Sequence, residues 1–225
     1  MKKVQDHYFH KARKDGYVAR SAYKLEEIDQ RHQLLKRGQK VLDLGCAPGS
    51  WLQYTSSRIG ESGRLLGIDL QAVAICLPPQ VEVLQADIYE LDRSGIWWES
   101  PFDVILSDMA PKTTGVRSAD ADRSYALNQH ALWLAEQYLS KGGCLLVKAF
   151  QGAPFQQLQQ DFRQMFTEVK ICKPKSSRSE SVEIFLLGKK KQESQVEEVG
   201  HLPEQGMPED GLLVLRGRLT SDSPD

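Results

Sequence analysis

Apolar residues along this chain gather into short runs separated by longer mixed stretches. The runs are 39–45 (QKVLDLG), 64–70 (RLLGIDL), 81–87 (VEVLQAD), 102–108 (FDVILSD), 143–150 (GCLLVKAF), 168–173 (EVKICK) and 182–187 (VEIFLL). Their length and branched content predict strands. Between most of them lie helical patterns. "SAYKLEEIDQRHQLL" at 21–35 sets Leu25, Ile28 and Leu35 near one face, with Ser21 in place to cap it. Further helices are expected over 49–59, 124–139 and 154–166, the last with Pro154 in its first turn. Strands alternating with helices predict an α/β fold, a mostly parallel sheet covered by helices on both faces. The end departs from this: 168–173 and 182–187 are joined by "PKSSRSES", with no helix between. Such a pair forms an antiparallel hairpin at one edge. No internal repeat is apparent.

Composition narrows the class. With 225 residues, 40% of them hydrophobic, the chain can bury a real core. No apolar run approaches the roughly 20 residues of a membrane span, and the start, "MKKVQDHYFHKARKDGYVAR", has no apolar segment of the secretory kind. A cytoplasmic protein with no membrane partner is expected. Cys46, Cys76, Cys144 and Cys172 include no C-x-x-C pair, and three adjoin or lie within strand runs. They read as small core residues in a reducing compartment, not as disulfides or zinc ligands.

The net charge of −1 conceals an uneven distribution. Residues 192–225 carry two arginines against eight acids, −6, which leaves +5 on residues 1–191. Three regions follow: a basic segment with the first helix over 1–36, a core over 37–188, and an acidic tail over 189–225. The tail, rich in Glu, Gln, Gly and Pro, is expected to be disordered; "GLLVLRGRL" at 211–219 is its one apolar stretch. The start crowds Lys2, Lys3, Lys11, Arg13, Lys14, Arg20 and Lys24 among Tyr8, Phe9, Tyr17 and Tyr23. Cations mixed with aromatics suit a polyanion with stackable bases; a solvated basic helix face is the plain alternative.

Several charges sit where apolar residues are expected. Lys148 interrupts a strand that is apolar on both sides. Glu183 alternates with Val182, Ile184 and Leu186, so it shares its face with Phe185 and Leu187. Asp108 ends the fourth strand and, if strands four and five are neighbours, can meet Lys148. Lys24 lies beside Leu25 and Ile28 on the first helix. Two lysines and two acids make either one neutralised cluster or two ordinary ion pairs.

The first strand runs into "DLGCAPGSW", a glycine turn before a helix. Its Gly45 and Gly49 are spaced G-x-x-x-G, without the third glycine of a nicotinamide fingerprint. Asp43 beside the turn would repel a pyrophosphate but suits an ammonium or sulfonium. Asp69 ends the second strand, where an acid can accept hydrogen bonds from ribose hydroxyls. Asp87 ends the third, where a carboxylate can receive an adenine amino group. Together they mark the carboxyl edge of the sheet as the ligand edge.

"DLGCAPGSW", the acid after strand two and the terminal hairpin resemble a class I S-adenosylmethionine (SAM) methyltransferase. "RSAYKLEEI", "SDMAP", "LVKAFQG" and "KPKSSRSESVEIFLL" narrow the resemblance to the FtsJ/RrmJ (RlmE) ribose 2′-O-methyltransferases, in register over roughly residues 5–188. The resemblance implies a Rossmann-like SAM-dependent methyltransferase core with an active-site set at Lys24, Asp108, Lys148 and Glu183. It implies SAM contacts at Gly49, Trp51, Asp69, Asp87 and Asp108, beside Asp43 and Gly45 of the turn, and no metal. It implies a uridine ribose in the A loop of 23S ribosomal RNA, within the large ribosomal subunit, as substrate of a monomeric enzyme. Lys148 is then the base at the ribose hydroxyl, or an ammonium that steers the oxygen's lone pair. A tRNA ribose methyltransferase and a noncatalytic RNA-binding assembly factor are the competing readings.

Overall fold

The computed structural model describes residues 2–90, 101–177 and 181–193; the acidic tail from 194 on, with its apolar stretch, lies outside the described residues. Seven strands form one sheet: β1 (Lys40–Leu44), β2 (Arg64–Asp69), β3 (Val81–Gln85), β4 (Phe102–Ser107), β5 (Leu139–Phe150), β6 (Phe166–Cys172) and β7 (Glu183–Lys191). Their order is β3-β2-β1-β4-β5-β7-β6. The first five run parallel to one another, and β7 lies antiparallel between β5 and β6. The expected edge hairpin is therefore present, with β6 outermost.

Helices cover both faces. Those of the first face are α2 (Ala22–His32) and α3 (Ser50–Ile59); those of the second are α4 (Arg117–Tyr138) and α5 (Pro154–Met165). On the first face Leu25, Ile28, Trp51 and Leu52 pack against Val41, Val104, Leu106, Phe185 and Leu187. On the second, Ala131, Leu134, Leu158 and Phe162 pack against Leu42, Ile105, Leu145, Ile184 and Leu186. The alternation read along β7 thus assigns its two faces correctly. Leu25 and Ile28 are buried with the sheet, so the boundary at residue 36 divides charge rather than packing.

The differences from expectation have local causes. A further helix, α1 (Lys2–Lys14), precedes α2; it is mostly charged and polar, and its Ala12 is buried. Its last turn carries Lys11, Arg13 and Lys14, which favours the negative end of the helix dipole. Ser21 stands at the α2 N-terminus without capping it; its hydroxyl instead meets that of Ser50 at 2.7 Å. α4 begins at Arg117, seven residues before its first expected turn, because Asp120 accepts from Thr114 N at 2.7 Å and Gly115 N at 3.1 Å and fixes the preceding loop. β7 runs on to Lys191 and takes three residues assigned to the tail. Lys191 is buried, its ammonium donating to the carbonyls of Glu136 and Leu139 at 2.7 and 2.8 Å, where the end of α4 leaves acceptors unpaired.

Candidate active site

The carboxyl edge of the sheet collects Asp69, Asp87, Asp108, Lys148 and Glu183, and Lys24 of α2 joins them through Glu183. Asp108 follows β4 directly, and Lys148 stands one register step beyond the Ser107–Val147 pair. Its ammonium donates to the Asp108 carboxylate at 2.8 Å and also to the Asp108 backbone carbonyl. Lys148 is 8% exposed, so this pairing answers the cost of burying it. Asn128 of α4 donates to the Lys148 carbonyl at 3.1 Å, and Phe150 N donates to Ser124 at 3.2 Å. The end of β5 is thereby pinned from the opposite face.

The second ion pair joins Lys24 to Glu183, partners 159 residues apart in the chain. Both are largely shielded from solvent. Phe185 stands between the two pairs: it is the register partner of Lys148 across β5 and β7, and the Lys24 ammonium lies 5.9 Å from its ring centre. Trp51 packs on the same ring at 5.9 Å. The four charges therefore form two ion pairs on one face, flanking an aromatic floor.

The glycine turn lies alongside. Gly45 and Gly49 both adopt positive φ, +75° and +110°. A side chain at Gly45 would come within 2.7 Å of Met109, and one at Gly49 within 2.6 Å of Ile75; the turn can be built only with glycine there. Asp69 holds it in shape, accepting from Ala47 N at 2.9 Å and from Gln71 N at 2.8 Å. Each carboxylate oxygen has a second lone pair for a ligand hydroxyl. Asp87 accepts from Tyr89 N at 3.0 Å and so caps the short helical turn Ile88–Glu90.

Two residues differ from a simple contact list. Trp51 is 2% exposed and donates its indole N–H to the Ser21 carbonyl at 2.9 Å. Its ring belongs to the core, and what it offers a ligand is its backbone at the α3 N-terminus. With the Ser21–Ser50 bond, it fastens the glycine turn to α2 and hence to Lys24. Asp43 is fully buried, and neither of its carboxylate oxygens has a partner. Burial first, then the carboxylates of Asp108 and Asp69, pushes its carboxyl well above the usual range. An orphaned buried acid beside a glycine cradle fits a ligand that brings a positive charge.

Sequence reasoning missed the residues that hold the site through backbone groups. Lys173, after β6, donates to the carbonyl of Ser181 at 2.7 Å and to that of Glu183. Glu27 accepts from Lys175 N at 2.6 Å and Ser176 N at 3.0 Å. A charged residue beside Pro174 was the one available signal for the first; the second had none. Among the described residues no group of three or more His, Cys, Asp or Glu side chains is placed to hold a metal.

Known proteins resemble this chain in sequence and in fold. "Ribosomal RNA large subunit methyltransferase E" of Syntrophobacter fumaroxidans is 49% identical over 187 residues, 82% of this chain and 95% of that protein. The protein of the same name from Bdellovibrio bacteriovorus is 46% identical over 188 residues, with the same coverage of 82% and 95%. The crystal structure of a Plasmodium falciparum protein titled a ribosomal RNA methyltransferase superposes with a TM-score of 0.68 at 32% identity, covering 78% of this chain and 98% of that one. The sequence model of the FtsJ-like methyltransferase family matches residues 17–191, from just before α2 to the last residue of β7. This chain belongs to the FtsJ-like methyltransferase family.

Proposed function

We propose that this protein transfers a methyl group from SAM to a ribose 2′-OH of large-subunit ribosomal RNA, the A-loop uridine of 23S ribosomal RNA being the acceptor. The observation that carries the reading is the pair of lysines fixed by carboxylates around Phe185, beside a cradle with an orphaned acid. The names of relatives that match nearly their whole length support the substrate.

Gly45, Gly49 and the backbone of Trp51 would admit the cofactor, with Asp43 toward its positive charge, Asp69 toward its ribose hydroxyls and Asp87 toward its adenine amino group. When bound, SAM supplies an electrophilic methyl group on a sulfonium, so the chain's own task is to align and deprotonate the hydroxyl. Lys148 is the residue proposed for this. An amine that had given up its extra proton would keep two N–H donors, enough for the Asp108 carboxylate and carbonyl, and one lone pair. That lone pair would take the proton of O2′, the role of base proposed for Lys148. Lys24, held by Glu183, supplies a cation at the same face and orients the ribose.

In the cell this reading describes a monomeric cytoplasmic enzyme acting on the large subunit. Mapping ribose methylation in RNA from a strain lacking the gene tests it. One mark in the A loop of 23S ribosomal RNA is expected to vanish. An unchanged ribosomal map with a mark lost from tRNA would overturn the substrate.

A further inference from the structure

A cleft of about 650 Å³ opens between α1, α2 and the chain leaving β6, within the roughly 300–1,000 Å³ of ligand-sized clefts. Its walls carry Tyr8 and Lys11 from α1, Glu26 and Arg31 from α2, and Lys173 and Lys175 after β6. It adjoins the active site along two paths. Ile28 and Arg31, four and seven residues after Lys24, share its face of α2 and line the cleft. Lys173, which lines the cleft, donates to the backbone carbonyl of Glu183. Lys24 and Glu183 do not line the cleft themselves, but residues bonded to them or beside them on α2 do.

The walls are held in place. Glu27 ties the exit of β6 to α2 through its bonds from Lys175 N and Ser176 N. Tyr23 is 3% exposed, donates its hydroxyl to Asp15 at 2.8 Å, and has the Lys11 ammonium 3.9 Å over its ring. It backs Tyr8, whose ring centre lies 5.6 Å away and which remains partly open. Glu27 is engaged by backbone groups, Lys11 by Asp15 at 3.0 Å, and two of the three Lys173 donors by carbonyls; Arg31, Lys175, the third Lys173 donor, the Tyr8 face and the Glu26 carboxylate are left to meet a ligand.

We propose that this cleft takes an unpaired RNA nucleotide next to the one being methylated, a subsite that rests on the ribose-methylation reading of the neighbouring site. Arg31, Lys173 and Lys175 face its phosphates, Tyr8 stacks on its base, and Glu26 accepts from a base N–H. Splayed single-stranded nucleotides are recognised by this combination of cations and an aromatic face. A flanking nucleotide fixed here would hold the acceptor ribose at Lys148 and Lys24 without any contact to the reacting atoms.

The test uses the full chain, with Arg31→Glu plus Lys175→Glu as one variant and Tyr8→Ala as another. Arg31 and Lys175 are exposed, so thermal unfolding should match wild type. A control, Arg64→Glu plus Arg163→Glu, makes the same charge change at exposed positions that do not line the cleft. Binding of a fluorescein-labelled single-stranded RNA is read by anisotropy at about 50 and about 200 mM salt. The double variant is expected to bind at least ~10-fold more weakly with a flatter salt dependence, and Tyr8→Ala about 5- to 100-fold more weakly. KM for undermethylated large subunits should rise in step, with SAM affinity unchanged and the control near wild type. Wild-type RNA binding by both cleft variants, or an equal loss in the control, would overturn the cleft. So would normal RNA binding with lost turnover on subunits, which would assign the surface to a ribosomal protein. Failure of the wild-type enzyme to methylate any ribose would overturn the reaction instead, while the binding comparison still decides the cleft.

Discussion

Lys148→Ala is expected to lower methyl transfer by about 10²- to 10⁴-fold, the contribution of a positioned acid–base group, while SAM affinity stays within a few-fold. The side chain bonds to Asp108 and not to the glycine turn. Removing it leaves Asp108 without its cation, so some loss of thermal stability accompanies the loss of rate. Lys148→Arg separates charge from basicity. A guanidinium keeps the ion pair with Asp108 but cannot be deprotonated in a protein. The arginine variant should fold and bind SAM, yet remain as inactive as the alanine. Single-turnover methyl transfer with calorimetry of SAM binding reads both effects. Turnover near the wild-type rate in the arginine variant would remove Lys148 from the role of base.

Asp43→Asn should move stability and binding in opposite directions. The wild-type carboxyl is buried without a partner and holds its proton to a higher pH than in the unfolded chain. The folded state then binds more protons, so its stability falls as pH rises above the unfolded value of about 3.9 and levels off beyond the folded one. Over that window each pH unit costs about 1.4 kcal/mol. The asparagine removes this cost. Without ligand, the variant should unfold at a higher temperature than wild type at neutral pH, by about 2–4 °C for each kcal/mol recovered. The difference should shrink as pH falls towards about 4 and vanish below it. SAM affinity should drop at least ~10-fold, as expected when a hydrogen bond to a charged group worth roughly 1.5–3 kcal/mol is lost. Melting curves at several pH values, with and without SAM, read both arms. A variant less stable at neutral pH, with unchanged SAM affinity, would show that Asp43 is a structural acid.

The parts of the molecule that were legible in the sequence are those governed by local pattern. β1, β2 and β4 end within a residue or two of their apolar runs because those runs are buried on both faces. The misplaced charges were equally informative. A lysine in a buried strand and a glutamate sharing a face with Phe185 each demand a partner, and the partners proved to be Asp108 and Lys24. What was hidden depends on groups that a sequence does not display. α1 is mostly charged and polar, and the first turns of α4 (RSADADR) offer only two alanines among charged residues and Ser118. β5 begins at Leu139, before the Gly142–Gly143 turn, because β4 offers Phe102 as a pairing partner there. Lys173 and Glu27 act on backbone carbonyls and amides across loops. Trp51 reads as a ligand contact by position, but its ring is taken by Phe185 and the Ser21 carbonyl.

The most direct test of the whole account is the product itself. Purified protein is incubated with methyl-labelled SAM and large ribosomal subunits from cells lacking this methylation, and the RNA is digested to nucleosides and mapped by mass spectrometry. The account predicts one labelled 2′-O-methyluridine in the A loop of 23S ribosomal RNA, absent when Lys148→Ala replaces the wild type. Label on a base rather than a ribose, or a labelled ribose only when tRNA replaces the subunits, would contradict it.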